Sequence, residues 1–173
     1  MLCKNVNVDT RWLDRGELSA WVRLAAVLEQ LPAALDTQLR RDAGLTHFDY
    51  FVLAMLSEAP QRTMRMTALA DLTAATLPRL SHVAQRLEGR GLLERFPCPE
   101  DRRATNARLT EAGLHKVREA APGHVGAVRE YVIDALTPEQ VTQLAAVMDA
   151  ILHRLDPERA RSAVYERYDA PAD

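Results

Sequence analysis

Residues 77–113 read LPRLSHVAQRLEGRGLLERFPCPEDRRATNARLTEAG, and this stretch decides the fold. Leu80, Val83, Ala84 and Leu87 recur at helical spacing, so an amphipathic helix is expected there. Pro78 sits in its first turn, where an amide hydrogen has no intrahelical acceptor. Gly91 suits a helix end that needs positive φ, and Arg86 and Arg90 suit the carbonyl end of the helix dipole. LLERF then reads as a short strand, and PCPEDRRA as a turn containing Pro97, Pro99, Glu100 and Asp101. Residues 105–109 return as a second strand, with Thr105, Ala107 and Leu109 on one face. Thr110 fits the N-cap of the next helix.

Upstream, a long amphipathic helix is expected over 17–43. Leu18, Trp21, Ala25, Leu28, Leu31, Leu35 and Leu39 make its apolar seam, Pro32 should bend or break it, and Gly44 ends it. Such a seam serves either the core of one chain or a layer shared between two. Thr46 and Asp49 form a capping-box pattern for a second helix that ends near Ala59 and Pro60. Met64–Met66 is a candidate short strand pairing with the hairpin. Thr67 is a candidate cap for a third helix, which a turn at residues 73–75 and a cap at Thr76 join to the fourth. Downstream, a helix is expected from Glu111 to about Leu136, with a bend at Pro122 and Gly123. A last helix opens at Thr137, Pro138 and Gln140 and buries Val141, Leu144, Met148, Ile151 and Leu152. Two helices, a short turn and an arginine-bearing hairpin make a winged helix-turn-helix, whose second helix enters the major groove of DNA while the hairpin reaches across the backbone. The fold class is therefore mainly α with a small β wing.

Charge distribution agrees. The net charge is -2, yet residues 62–108 hold nine arginines and five acids, with no lysine. A basic middle in an acidic chain suits a DNA-facing module on a scaffold that repels DNA. Arginine is the better residue for bidentate contacts to phosphate or guanine. Two cysteines, Cys3 and Cys98, make no disulfide framework, and no cysteine–histidine cluster has zinc spacing. No metal and no cofactor is expected. The start of the chain shows no secretory pattern and no stretch approaches eighteen apolar residues, so a cytoplasmic protein without a membrane span is expected.

The blocks LEGRGLLER, EDRRA and LTEAG, in that order and spacing, resemble the signature of the MarR family of transcriptional regulators. The resemblance extends more loosely over residues 18–153. It implies a homodimer of winged helix-turn-helix protomers on double-stranded DNA. Residues 17–45 and 111–155 would form the all-helical dimerisation region, and 46–110 the DNA-binding domain. Residues 1–16 would be a flexible arm and 156–173 a tail. The recognition helix would be 76–90, exposing Thr76, Pro78, Arg79, Ser81, His82, Gln85 and Arg86 to DNA. Arg103 falls on the family's minor-groove arginine, with Arg102 beside it as a phosphate candidate. Asp101 falls on the aspartate that orders the wing, and Arg95 on the position that holds its base. Leu109, Thr110 and Gly113 match the strand-to-helix junction. Phe96 and Asn106 depart from the pattern, which often has a polar or basic residue at the first and a larger apolar one at the second.

The resemblance also implies a crevice for a small aromatic or phenolic effector between the dimer layer and the DNA module. Trp12, Trp21, His47, Tyr50, Arg65 and His115 are its candidates by element; packing roles compete for each. Cys98, between two prolines in the wing, is expected to be solvent-exposed, and a redox-responsive regulator acting through Cys98 or Cys3 is an alternative. An enzyme is not expected. The histidines at 47, 82, 115, 124 and 153 are scattered, Ser81 lacks nucleophile-elbow glycines, and pairing His82 with Asp101 or Glu100 completes no motif. A winged helix used for protein interaction is the other rival, and arginines on the wing and recognition helix speak for DNA instead.

Overall fold

The computed structural model describes residues 10–99, 101 and 103–156. Its elements are α1 (Arg15–Ala43), α2 (His47–Glu58), β1 (Thr63–Arg65), α3 (Met66–Leu72), α4 (Leu77–Gly89), β2 (Leu93–Pro97), β3 (Thr105–Leu109), α5 (Glu111–Tyr131) and α6 (Pro138–Leu155), with short 3-10 turns at Pro60–Arg62 and Ile133–Ala135. This is a mainly helical chain with a small antiparallel wing, as the fold class requires. The chain divides between Ala34 and Leu35 into two compact units, and the core described below belongs to the second.

Local chemistry explains the element ends. α2 starts at a reciprocal cap: the Asp49 amide donates to Thr46 Oγ1 (2.9 Å), and the Thr46 amide donates to Asp49 Oδ2 (3.0 Å). α6 starts the same way, with Thr137 and Gln140 as the reciprocal pair and Pro138 in the first turn. α4 is closed two residues past its end by Gly91, whose amide donates to Glu88 O (2.8 Å) and whose φ of +71° turns the chain so that the Leu92 amide reaches Leu87 O (3.0 Å). That double closure satisfies carbonyls the helix end would otherwise leave open. The helix-turn-helix turn closes similarly through Ala74, at a φ of +52°, and the Ala75 amide donates to Ala70 O (3.0 Å).

The core joins these elements. Leu39, Leu45, Val52, Leu53, Leu56, Leu69, Leu80, Ala84 and Leu87 are fully buried with Ala107, and Leu93 and Leu109 close the sheet side. β3 is the central strand, in the order β1-β3-β2. Arg95, Ala107 and Met64 are cross-strand neighbours on the inner face; Phe96, Asn106 and Arg65 are neighbours on the outer one. The two departures from the family pattern are therefore direct partners, Phe96 opposite Asn106. Each supplies what the other lacks, so the pair keeps one apolar and one polar member on that face. Arg108 lies 5.2 Å above the Phe96 ring and also pairs with Glu94.

Several expectations are corrected. Thr67 does not cap α3: Arg65 holds the cap position without a side-chain bond, because β1 runs straight into a helix whose first residue, Met66, is already buried. The first strand is Thr63–Arg65, one residue earlier than the expected Met64–Met66. At Pro32 the helix does not break, which leaves only the bend of the two expected outcomes, and α5 runs on through Pro122 as one helix, in keeping with helical periodicity on both its flanks. The carbonyls those prolines leave undonated, on Leu28 and Arg118, belong to exposed residues that water can serve. α5 ends at Tyr131 and not near Leu136, where the chain tightens into the 3-10 turn. α6 buries none of its residues in the single chain; Val141, Leu144, Met148, Ile151 and Leu152 are half-buried along the expected stripe. α1 is long and apolar enough, by length and composition alone, to cross a membrane, which the residue-by-residue reading did not expect.

Candidate nucleic-acid interface

α4 is built to be held from three sides and open on the fourth. Leu80, Val83, Ala84 and Leu87 fix its inner face in the core. Helical spacing then puts Pro78, His82 and Gln85 on the opposite face, and all three are exposed. Thr76 caps the helix, its Oγ1 accepting the Arg79 amide at 3.4 Å.

The two flanks are tied to different neighbours. On one, the Arg79 guanidinium lies 4.3 Å above the Phe48 ring, and Arg86 Nη2 donates to Asp49 Oδ1. Both partners sit in the first turn of α2. On the other flank, Glu88 takes the Arg95 amide (2.9 Å), Arg95 Nε (3.0 Å) and Arg95 Nη2 (2.8 Å), which binds α4 to the base of the wing. The Arg95 bonds hold the Glu88 carboxyl below the ordinary range. Ser81 faces a cleft of about 170 Å³ between α4 and the wing, lined also by Met66, Thr67, Leu77, Arg95, Arg103, Ala104 and Thr105.

At the wing tip, Asp101 Oδ1 accepts the Arg103 amide (3.0 Å), and Asp101 O accepts the Ala104 amide (2.9 Å). A short turn results, from which the exposed Arg103 extends. Arg102 and Glu100 lie outside the described residues. Cys98 is 3 % exposed, against the expected solvent-facing thiol. The turn folds back on it through its own amide, which donates to Ala104 O (2.9 Å), and Arg65 Nη2 reaches its sulfur at 3.7 Å. Cys3 lies outside the described residues.

Of the effector candidates, the structure brings together His47 and Tyr50, on α2, and adds His124 from α5. The His124 ring is 4.5 Å from Tyr50 and 5.9 Å from His47 between centroids. Gln38 lies close by: a Cβ on Gly123 would meet its Nε2 at 3.0 Å. His124 was one of five scattered histidines in the sequence; the mid-helix Gly123, a site of close backbone approach, was the signal beside it. Arg65 is elsewhere, in β1 against Cys98, and His115 is exposed earlier on α5. Trp12 and Trp21 belong to the first unit and are 83 % and 55 % exposed.

Burial lowers both His47 and His124 from the ordinary histidine value, the second further through its charged neighbour His47. Asp36, which accepts the His47 amide (2.9 Å), opposes part of this on His47. A lowered folded value means that the unfolded chain binds more protons in the interval below about 6.5, so stability rises with pH there. It is fully present above that interval and lost as pH falls through the folded values. The melting temperature should therefore drop on acidification from pH 7.5 to about 5.5, and His124→Phe should make that drop shallower. Calorimetry at a series of pH values tests this, and equal slopes for both proteins would refute it.

The helix-and-wing geometry has close relatives among solved proteins. A family model described as MarR family matches residues 45–105. The structure resembles that of Sco3205, a MarR family transcriptional regulator from Streptomyces coelicolor crystallised with DNA. It is 43 % identical, with a TM-score of 0.82, over 85 % of this chain and 96 % of that one. It resembles equally AbsC, a MarR family transcriptional regulator from the same organism, at 40 % identity and a TM-score of 0.81 over 86 % and 100 % of the two chains. A curated relative, the transcriptional repressor MprA of Escherichia coli (strain K12), is 25 % identical over 71 % of this chain and 69 % of its own. With α4 tied to the wing and two such relatives matched over nearly their whole length, the chain belongs to the MarR family of transcriptional regulators.

Proposed function

We propose that the protein is a DNA-binding transcriptional repressor that grips a pseudo-palindromic promoter operator as a homodimer and leaves it when a small aromatic or phenolic ligand binds. One observation carries the reading: α4 is clamped on both flanks while its outer face, with Pro78, His82 and Gln85, stays open beside an exposed wing-tip Arg103. Side chains on that face read base edges, and a wing arginine suits the focused negative potential of a narrow minor groove. The DNA complex of Sco3205 and the repressor name of MprA support the same reading.

A dimer is supported by apolar side chains left uncovered in a single chain. Leu18, Trp21, Val22 and Leu28 of α1 are about half exposed, as are Val125 and Tyr131 of α5 and Val147 of α6. Surfaces of that kind mark association sites, and a second copy would cover the α1 face that by composition alone would also suit a membrane. Two-fold symmetry then calls for half-sites about one helical turn apart. The effector reading draws on the ring cluster of His47, Tyr50 and His124 at the junction of α2 and α5. A ligand there regulates by favouring one spacing of the two recognition helices. A cytoplasmic location goes with this role.

Selection of bound fragments from the source genome with purified protein tests the proposal, followed by gel shift on the best fragment with and without a panel of aromatic acids. A palindromic fragment bound in a salt-dependent way is the expected outcome. No enrichment over random DNA at low salt would reject DNA binding by the free protein.

A further inference from the structure

One arrangement on α4 is not required by its role alone. Two consecutive residues of α2, Phe48 and Asp49, take the two arginines on one flank of α4, Arg79 and Arg86. The arginines are seven residues apart, two helical turns, so they share that flank about 10.5 Å apart along the axis. Asp49 is 2 % exposed, whereas the Arg86 side chain is 51 % exposed. One oxygen of the buried carboxylate is already engaged by the Thr46 amide in the helix cap. The other takes Arg86 through a single terminal nitrogen. A guanidinium has five N–H donors, so an outward-facing edge remains for a further acceptor. Phe48 holds Arg79 over its ring face, and a guanidinium held over a ring needs none of its N–H donors for that contact, so they serve other acceptors.

We propose that Asp49 and Phe48 are positioning residues for DNA binding, which hold Arg86 and Arg79 with their open edges toward two phosphates of the DNA backbone. The proposal rests on the reading of α4 as the helix that enters the major groove. An arginine left loose on this flank sweeps many rotamers and gives up most of that freedom on meeting a phosphate; one already held by a buried carboxylate or an aromatic ring gives up far less. The helix cap fixes Asp49, so the first turn of α2 sets where both charges stand. The rival account makes Arg86 a strut between α2 and α4 and nothing more.

Salt dependence separates the two accounts, because removing one arginine–phosphate interaction makes the slope of log K against log salt shallower by about 0.9. The experiment measures binding by fluorescence anisotropy to a labelled duplex of about 30 base pairs, enough for two half-sites. It uses the full chain and the variants Arg86→Ala, Asp49→Asn, the double variant, and Phe48→Leu, with melting temperatures measured for each. Arg86→Ala and Asp49→Asn each act in both protomers of the dimer, so each should bind about a hundredfold more weakly and lose about 1.8 units of slope, about 0.9 per protomer. The double variant should bind no worse than Arg86→Ala, since Asp49 acts through that arginine. Phe48→Leu keeps the cap and the apolar bulk, so it gives a readout even if Asp49→Asn folds poorly; it should lose slope through Arg79. Unchanged slopes with lowered melting temperatures would overturn the proposal in favour of a strut. Tighter binding by Asp49→Asn would overturn it too, because Asp49 would then merely mask Arg86. Wild-type protein that binds neither the selected fragment nor random duplex would instead reject the DNA-binding function itself.

Discussion

Arg103→Ala should weaken operator binding by roughly a hundredfold or more, because the homodimer loses one groove-reading arginine, about 1–3 kcal/mol, from each protomer. The fold has no stake in this side chain. Arg103 is exposed, and its bond to Asp101 is made by its backbone amide, which alanine keeps. The melting temperature should therefore stay within about a degree, because surface changes away from such features shift stability little. The loss should be largest on operators with an A·T tract where the wing lands, since a narrow minor groove concentrates the potential that attracts arginine. Gel shift on wild-type and A·T-to-G·C substituted fragments, at one stated salt concentration, measures both effects. Equal affinity of the variant for both fragments at near-wild-type strength would show that the wing does not read DNA. Asp101 offers an internal comparison. Its carboxylate shapes the turn that aims Arg103, so Asp101→Ala should reproduce part of the loss without removing any cation.

Gly113→Ala should have the largest effect on stability of any single methyl addition in the chain. A Cβ at this position would stand 2.0 Å from the Leu92 carbonyl oxygen and 2.7 Å from Leu109 Cδ1. The first obstacle is backbone and cannot rotate away. It is also held in place, because the Leu92 carbonyl accepts the Thr110 amide (3.2 Å). The neighbouring cap converges on the same point: Thr110 Oγ1 donates to Gly91 O (2.7 Å) and accepts the Gly113 amide (3.0 Å). Relief requires α5 to move off the start of β2, which breaks the cap and opens the wing base together. Overpacking usually costs about 1–3 kcal/mol, and a clash with fixed backbone belongs above that range. Urea unfolding should show a midpoint far below that of wild type, and the variant should lose DNA binding with its wing. Gly126→Ala is the control, since a Cβ there meets nothing within 4 Å; it should be neutral or stabilising in the middle of a helix. A Gly113→Ala protein as stable as wild type would mean that α5 does not sit against β2 as described.

The amino-acid order alone determined the element list, because its signals are local. Period-3.6 apolar positions marked α4, Thr46 with Asp49 and Thr137 with Gln140 marked helix starts, and Gly91 marked a helix end; each is set by neighbours within one turn of chain. The MarR blocks added the family and the wing for the same reason, being contiguous runs. What failed was also local in kind. Thr67 looked like a cap, but whether a threonine caps depends on where the preceding strand releases the chain. Ala74 showed no sign of its left-handed backbone, because the packing of α3 against α4 imposes it where a glycine would have announced it.

Tertiary structure decided the partnerships, which join residues far apart in sequence. Asp49 reads as half of a cap, and only folding brings Arg86 to its other oxygen, 37 residues on. Glu88 reads as a helix-end acid until the hairpin returns Arg95 to it. Phe96 and Asn106 read as two defects until the strand register sets them face to face. Cys98 reads as a loop thiol until the turn closes over it. His124 reads as one stray histidine until α5 lays it against Tyr50. In every case the residue type was visible and its partner was not, because a side chain's neighbour across the core is set by how helices and strands pack, and no spacing along the chain encodes that directly.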